Sequence, residues 1–564
     1  MKKTVLRGLT CASLVAGLAL VGSPTQAETG AQKPVSPRFA EIAASDPTAE
    51  VGGDGHLYFV EPVPERPRPT SQRAVEARAP EFPLSDTFDL HSAPGSQRTI
   101  FLDFDGHHVS GTAWNKEEGV PAGSHPAWTL DGNAGAFNNR ERTVIQEVWR
   151  RVAEDFAPFD VNVTTRDPGE AALLRSGAGD QVYGTRVLIT PSNRALQAIC
   201  GGSCVGIAYM DVFDEVGGAH QPVWVFPQFY NSFIDDGGAK GIAETISHEV
   251  GHNLNLGHDG DSEESYHTGH NSWAPIMGGS DDEPISQWSK GDYPDADNRQ
   301  DDLAVIARSG LSLRADEAGG TIASAAAAPP AGTAYITSRS DKDFYHLGEC
   351  AGAVRIAAAG ASVGTNLDIE LRLYRTDGTQ VATANPTSAK VSAMVASGMN
   401  ATIDANVTAG AYVVAVDGVG RGNWSTGYDD YASIGAYTLR ATGCDGVPTD
   451  PEPEPEPEPD PVKPGRPKIV SASSGAPGGP VTGSLRWTVP DDGGAPIKSY
   501  RVKATRWSAS GKKLGSGTTT PFTTGQMSTM IRLRTPGIWS FQVQARNEVG
   551  WSPFSSPSKK IRGR

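Results

Sequence analysis

Hydrophobic positions first follow a mixed helical and strand-like spacing and later, from about residue 341, an almost purely alternating one. Apolar residues at helical intervals between 144 and 156 predict an amphipathic helix. Further helices are predicted at 239–254 and 299–308, and strands at 99–106, 161–165, 186–190, 207–210 and 223–226. Because strands alternate with helices, residues 95–315 are predicted to form an α/β (α+β) domain.

Two later segments are predicted to be all-β. Short strands separated by turn residues recur at 354–357, 367–374, 412–416 and 437–441, which predicts a β-sandwich over 333–445. Residues 467–564 show the same alternation and predict a second sandwich. Between the two, 446–466 alternates Pro with Glu or Asp and predicts a stiff, charged linker. The predicted fold class is therefore multidomain, with one α/β (α+β) domain followed by two all-β sandwich domains.

The N-terminus has the organisation of an export signal. Basic side chains precede a short apolar run at 14–21, and Thr25-Gln26-Ala27 offers a small-residue cleavage site. We therefore expect residues 1–27 to be a signal peptide and the protein to be secreted. The apolar run is shorter than the roughly 20 residues that a spanning helix needs, and no later segment reaches that length, so no membrane span is expected.

Length and charge narrow the class of protein further. A chain of 564 residues is too long for one hydrophobic core, which agrees with several domains. The formal net charge of -16 argues against nucleic acid and anionic membrane surfaces as partners, although part of this charge lies in the linker.

The cysteines are predicted to form disulfides. Removal of the signal peptide takes Cys11 with it and leaves an even number, which in an exported chain favours pairing. Cys200 and Cys204 bracket a flexible tripeptide and could close a small loop, while Cys350 and Cys444 lie near the two ends of the first all-β domain. The alternative for the first pair is a metal or redox motif, which no neighbouring His or Cys favours.

The helix predicted at 239–254 carries the candidate chemistry. His248 and His252 are one turn apart on one face, so both imidazoles can bind one metal ion, and His258 returns after a turn as a third ligand. Three protein ligands leave the fourth zinc position open to water, as in catalytic sites. Glu249 is the candidate general base for that water. The first two histidines with Glu249 alone could equally be a solvated helix face, but the third histidine makes the pattern more specific.

The stretch from His248 to Asp259 resembles the zinc signature of the metzincin metallopeptidases, HExxHxxGxxH followed by a methionine-containing turn, and within them the reprolysin-like branch. Met277 matches the Met-turn residue, and the resemblance implies that it packs beneath the histidines without binding the metal. The chain departs from the pattern at Asn255, where the family has Gly, but Asn tolerates the left-handed backbone of such a turn. No Tyr stands two residues after Met277, so the tyrosine ligand of some branches has no match.

The all-β segments resemble accessory modules of bacterial secreted hydrolases. Residues 341–345, 367–374 and 409–414 are similar to the pre-peptidase C-terminal domain, and the last domain resembles a fibronectin type III module through Trp487 and Tyr500. The resemblance implies that these modules act in adhesion or spacing and hold an insoluble matrix or polysaccharide. For the first module, removal by processing and calcium binding are further alternatives.

Residues 28–94 are a predicted propeptide. They are rich in Pro, Glu, Arg and Ala with few periodic apolar positions, and 62–69 is expected to be extended or disordered. The segment contains no cysteine, so a thiolate cannot block the zinc. The candidates for that role are His56, His91 and an Asp near Asp86.

Together these features predict a secreted zinc-dependent endopeptidase with one catalytic zinc ion and a protein or peptide substrate. The substrate is expected to add antiparallel to an edge strand, at 206–213 or at 223–226. One alternative is a hydrolase of cell-wall peptides. Another is a surface- or matrix-binding protein with a silent metallopeptidase domain, against which the intact Glu249 argues. Calcium is a second candidate ion, and the acidic run 280–283 could bind it, although a solvated loop is favoured.

Overall fold

The computed structural model describes residues 34–64, 80–230, 238–327, 333–446, 463–475, 478, 480–490, 497–519, 521–523 and 527–563. The predicted signal peptide and most of the Pro/Glu linker lie outside these ranges. The chain divides into two compact units, Met1–Thr449 and Asp450–Arg564. Among the described helices, none is long and apolar enough to cross a membrane.

The first part of the first unit is mixed α/β. Its elements, in chain order, are α1 (Pro37–Ser45), β1 (Ala49–Val51), β2 (Leu57–Glu61), β3 (Arg98–Asp103), β4 (His108–Val109), α2 (Ala113–Lys116), β5 (Gly123–Ser124), α3 (Asn139–Asp155), β6 (Asn162–Thr164), β7 (Tyr183–Ile189), α4 (Asn193–Cys200), β8 (Gly206–Tyr209), β9 (Val223–Val225), α5 (Ala239–Asn253), β10 (Trp273–Pro275), β11 (Ile285–Gln287) and α6 (Asp302–Arg308). The strands and helices predicted within 95–315 are all confirmed, with shifts of a few residues at their ends.

The central sheet has the order β1-β2-β8-β9-β7-β3-β6. Strands β6, β3, β7 and β9 run parallel, whereas β8 is antiparallel to β9 and also to β2. Side chains alternate between the two faces, so that Val187 and Ile189 join the core beneath α3 and α5 while Leu188 faces a second core with Trp114.

Helix α5 crosses the middle of the first core, and all of its residues are buried. A helix with polar residues on every side and little solvent contact needs a partner for each polar group. Ser247 donates to Asp155 of α3, and Glu244 accepts from Ser280 and Ser286. The neighbouring histidines and Glu249 are further polar groups that this core has to accommodate.

The structure adds order where the sequence predicted no element. Between 28 and 94 it contains α1, β1 and β2, and Ser36 caps α1 by accepting from the Phe39 amide. Strand β2 is almost entirely apolar and buried, and it extends the central sheet through β8. Residues 65–79, which include most of the proline-rich stretch, lie outside the described residues.

The rest of the first unit is all-β, as predicted. Its strands are β12 (Ala326–Ala327), β13 (Thr333–Ile336), β14 (Lys342–Gly360), β15 (Ile369–Arg375), β16 (Gln380–Ala384), β17 (Ala389–Lys390), β18 (Ala396–Ser397), β19 (Ala401–Gly418) and β20 (Gly435–Cys444). Seven of them form one continuous sheet with the path β13-β20-β14-β19-β15-β16 and β12 beside β14. The two predicted disulfides, Cys200–Cys204 and Cys350–Cys444, are both present.

This all-β part packs directly on the α/β part. The Tyr431 hydroxyl donates to Asp301, 2.8 Å away, and accepts from the Leu303 amide at the start of α6. Asn366 donates to Asp155 at 2.8 Å, where both side chains are buried. These buried polar contacts join the two parts into one compact unit.

The second unit is also all-β. Its strands are β21 (Lys468–Ser474), β22 (Thr482–Thr488), β23 (Ser499–Trp507), β24 (Lys513–Thr518), β25 (Phe522–Thr523), β26 (Ser528–Arg532), β27 (Gly537–Arg546) and β28 (Ile561–Gly563). They form a three-stranded and a five-stranded sheet, and Trp487 and Tyr500 lie in the core.

Candidate metal centre

The end of α5 positions the first two histidines. His248 and His252 lie one turn apart, and the chain then leaves the helix through Asn255, whose φ is 73°. The expected left-handed turn is therefore at Asn255. Gln300 holds this turn by donating to the Asn255 carbonyl and accepting from the Gly257 amide. The reversal brings His258 back toward the helix.

The three imidazoles converge on one point. Nε2 of His252 and Nε2 of His258 are 3.1 Å apart. Nδ1 of His248 and Nδ1 of His252 each lie 2.9 Å from a backbone carbonyl oxygen, those of Ile276 and Leu256. Because a carbonyl only accepts, each Nδ1 carries the proton and each Nε2 keeps its lone pair. Converging imidazole lone pairs, each oriented by a second partner, are typical of a metal site.

The third histidine is oriented by the N-terminal segment. Nδ1 of His258 lies 2.6 Å from Oδ2 of Asp46, and Thr48 Oγ1 is 3.4 Å away. A carboxylate behind a ligating histidine fixes its ring and raises its basicity.

A fourth group, which the sequence analysis did not identify, completes the cluster. Oε1 of Glu61 lies 3.1 Å from Nε2 of His258 and 3.4 Å from Nε2 of His252, and Oε2 lies 3.5 Å from Nε2 of His248. Glu61 ends the apolar run of β2, and an acidic residue closing a buried strand is the signal that could have indicated it.

The donor set fits a zinc ion. Zinc binds imidazole nitrogen and carboxylate oxygen at about 2.0–2.2 Å, so tetrahedral ligand atoms stand roughly 3.3–3.6 Å from one another. The separations among Glu61, His252 and His258 are 3.1 to 3.4 Å. Nε2 of His248 has no hydrogen-bond partner among the described residues, although it is buried. A cation between these four side chains would satisfy it.

Glu249 lies beside the cluster. It is fully buried, and neither of its carboxylate oxygens has a hydrogen-bond partner among the described residues. Burial and the negative charge of Glu61 raise the pKa of Glu249 well above its usual range. A side chain at Gly206 would collide with this carboxylate, so the glycine leaves room for it next to β8.

The electrostatics of the cluster follow from burial and from Glu61. Burial lowers the pKa of His252 to about 4, which keeps its imidazole neutral, as metal binding requires. Burial also disfavours the charged form of His258, but Glu61 and Asp46 outweigh it and raise the pKa to about 9. For Glu61, burial is outweighed by the charge of His258 and by the other two histidines, and its pKa lies well below the usual range.

Two aromatic rings pack against the histidines of the candidate metal centre. The ring of Phe59 stacks on His252 at 4.0 Å between centroids. Tyr266 lies 4.5 Å from the ring of His258, and its hydroxyl donates to Oε2 of Glu61 at 2.6 Å. Tyr266 comes before Met277, whereas the tyrosine ligand of some metzincin branches follows the methionine, so the motif gave no indication of Tyr266.

Met277 lies beneath α5. Its side chain is fully buried, and its sulfur would be 2.5 Å from a Cβ placed at Gly251, between the two helical histidines. Its carbonyl accepts from the Asp259 amide at 2.8 Å, which ties the turn after His258 to the methionine turn.

Strand β8 pairs with an extended chain, β2, next to this centre. Of the two candidate substrate strands, β9 lies inside the sheet between β7 and β8. Strand β8 has only β2 and then β1 on its other side, so without them it would be the edge strand. The register of β2 and β8 pairs Tyr58 with Tyr209, Phe59 with Ala208, Val60 with Ile207 and Glu61 with Gly206.

The candidates for blocking the metal lie elsewhere. The ring of His56 contacts Asp54 and His220, and His91 contacts Asn162. Asp86 accepts from its neighbour Ser85.

Two of the four residues in the acidic run 280–283, Ser280 and Glu283, contact basic side chains. Ser280 accepts from Lys240 through its carbonyl, and Glu283 pairs with Lys390 at 3.1 Å. Among the described residues, two further groups could hold an ion, namely Asp54 with His56 and His220, and Asp316 with Asp341 and Asp343.

Comparison with known proteins gives little similarity. No protein family and no curated protein matches the chain. Among solved structures, titin kinase with its flanking domains is 24% identical over 18% of this chain and 16% of that chain, with a TM-score of 0.12. The twitchin kinase region from C. elegans is 25% identical over 19% of this chain and 16% of that chain, with a TM-score of 0.13. The chain therefore spans about a sixth of the length of these two structures.

Proposed function

We propose that this chain is a secreted zinc-dependent endopeptidase of the metzincin type that hydrolyses peptide bonds in extracellular proteins. The observation that carries the proposal is the convergence of three histidine Nε2 atoms beside the buried, unpartnered carboxylate of Glu249. Three imidazole ligands with a free carboxylate beside them are typical of a hydrolytic zinc site.

The side chains have distinct roles in this reaction. A zinc ion held by His248, His252 and His258 would supply Lewis-acid activation of a water molecule and of the scissile carbonyl. Glu249 accepts the proton of the attacking water and delivers it to the departing amine. Neither oxygen of its buried carboxylate has a hydrogen-bond partner among the described residues, so the group is free to exchange a proton with water.

Tyr266 is the candidate for stabilising negative charge on the substrate oxygen. Its hydroxyl already donates to a carboxylate oxygen at 2.6 Å in the centre, so it can donate to another anionic oxygen there. A preorganised donor of this kind is worth about 3 kcal/mol in transition-state stabilisation.

The substrate would bind as an extended strand along β8. This strand pairs antiparallel with β2 through its main chain, which shows that its outer edge accepts such a partner. Main-chain pairing favours unfolded or loop segments of proteins as substrates.

The resemblance of the all-β domains to adhesion modules supports a role in holding matrix or polysaccharide. Asp316, Asp341 and Asp343 are the best-supported calcium ligands.

The test uses the full chain with a site for a sequence-specific protease inserted between residues 70 and 75. The cut chain, freed of the released peptide, is expected to contain one zinc per molecule and to digest denatured casein. A chelator should stop digestion, and zinc should restore it. Digestion of cell-wall peptides but not casein would favour the cell-wall hydrolase, and a zinc-loaded chain that cleaves neither would favour a silent domain.

A further inference from the structure

We propose that residues 34–64 are a built-in inhibitor, in which β2 occupies the substrate strand position and Glu61 takes the fourth ligand position of the metal. This inference rests on the proposed function, since it describes how the same site would be kept latent. Neither the elements of this segment, α1, β1 and β2, nor its contact with the three histidines was apparent from the sequence.

The backbone of β2 fills the site a substrate would use. Besides the paired register, the Val205 amide donates to the Glu61 carbonyl at 2.9 Å and the Met210 amide donates to the Leu57 carbonyl at 2.8 Å. The main-chain groups along the outer edge of β8 are therefore already paired from one end to the other. No second extended chain can pair with that edge while β2 is in place.

The side chain of Glu61 fills the remaining position at the metal. Its carboxylate oxygens lie within 3.5 Å of all three histidine Nε2 atoms, and only 5% of the residue is exposed. A carboxylate in the fourth position of a tetrahedral site displaces the water that hydrolysis needs. Glu249 then has no water from which to take a proton.

Other residues of the segment hold it against the same histidines. Phe59 stacks on His252, and Asp46 accepts a hydrogen bond from His258 at 2.6 Å. At the turn between β1 and β2, Asp54 lies 2.8 Å from Nε2 of His220, a residue of the α/β domain. The segment is thus anchored at both ends of β2, and its aromatic and acidic side chains are matched to the metal ligands.

The inhibitor can leave without unfolding the domain behind it. Strand β2 lies toward one edge of the sheet, with only β1 beyond it, so its loss exposes β8 and leaves the pairing of β8 with β9 intact. A cut in the chain between residue 64 and residue 80 would make the segment a separate peptide. We therefore expect proteolysis there to activate the enzyme.

The test compares uncut chains carrying single substitutions. Glu61→Ala and the closer mimic Glu61→Gln remove the ligand that holds β2 at the metal, so β2 should leave the edge of β8 part of the time. Casein hydrolysis by the uncut chain is therefore expected to rise at least tenfold. Glu50→Gln is the matched control, because Glu50 lies on the same segment but its carboxylate accepts from Tyr58. Zinc retention gives a readout independent of activity, and the uncut wild type should hold zinc at least tenfold more tightly than Glu61→Ala.

The outcomes separate this inference from the proposed function. If the uncut wild type hydrolyses casein as fast as the cut chain, latency is overturned while the function stands. If Glu61→Ala and Glu61→Gln leave both activity and zinc retention of the uncut chain unchanged, Glu61 is not the blocking ligand. If the cut chain hydrolyses no peptide, the proposed function itself fails.

Discussion

Oδ2 of Asp46 lies 2.6 Å from Nδ1 of His258, so a residue of the N-terminal segment orients a histidine 212 positions further along the chain. A carboxylate that accepts a hydrogen bond from a ligating histidine raises metal affinity about 10–100-fold. We predict that Asp46→Asn lowers the zinc affinity of the uncut chain by that order, as measured by competition with a chelator. Glu50→Gln serves as the control, and equal affinities for Asp46→Asn and wild type would refute the link.

The turn at Asn255 yields a second prediction. Its φ of 73° is accessible to Gly and Asn but costs a β-branched residue about 1–3 kcal/mol. Asn255→Gly should therefore retain zinc, whereas Asn255→Val should displace His258 and lower zinc affinity about tenfold or more. Gln300 contacts only the backbone of the turn, so both variants keep the same hydrogen-bonding groups for it. Equal zinc affinities for the Gly and Val variants would show that the turn does not set the ligand position.

The buried carboxyl of Glu154 makes stability depend on pH. Burial between the α/β and all-β parts raises its pKa from 4.5 to about 7. A raised carboxyl pKa contributes stability that is present below pH 4.5 and is lost as pH rises through 7, by about 3 kcal/mol in all. Glu154→Gln removes that loss, so it should stabilise the protein at pH 8 and change little at pH 4.5.

Urea unfolding at the two pH values measures this effect. Glu147→Gln on the same helix is the control, because Glu147 pairs with Arg151 near the surface. An equal effect of Glu154→Gln at pH 4.5 and pH 8 would contradict the assignment.

The two disulfides should differ in their effect on stability. Cys350–Cys444 spans 94 positions and Cys200–Cys204 spans four, and the entropy that a cross-link removes from the unfolded chain grows with the span. Replacing the long-range pair by Ala should cost about 4–5 kcal/mol, and replacing the short-range pair about 2 kcal/mol. Thermal unfolding of the two double variants measures both losses. The loss should be larger for the variant without Cys350–Cys444, and an equal or smaller loss would contradict the prediction.

The sequence was sufficient for local features and insufficient for distant ones. Helix α5 and the turn at Asn255 follow from spacing and backbone preference within a few residues, whereas the burial of Met277 was implied by the resemblance to the metzincin signature. Glu61 and Tyr266 meet at the metal centre only because β2 adds to β8 and the loop after His258 folds back. Neither event leaves a local periodicity, and the short strand β2 sits in a segment whose composition indicated little order.

Glu249 is proposed to act as the base of a zinc peptidase. The most direct measurement is peptide hydrolysis by the cut chain, compared between wild type and Glu249→Gln at equal zinc content. We expect one zinc per molecule in both proteins and a rate at least about 10²-fold lower in the variant. Hydrolysis by Glu249→Gln at the wild-type rate would contradict it.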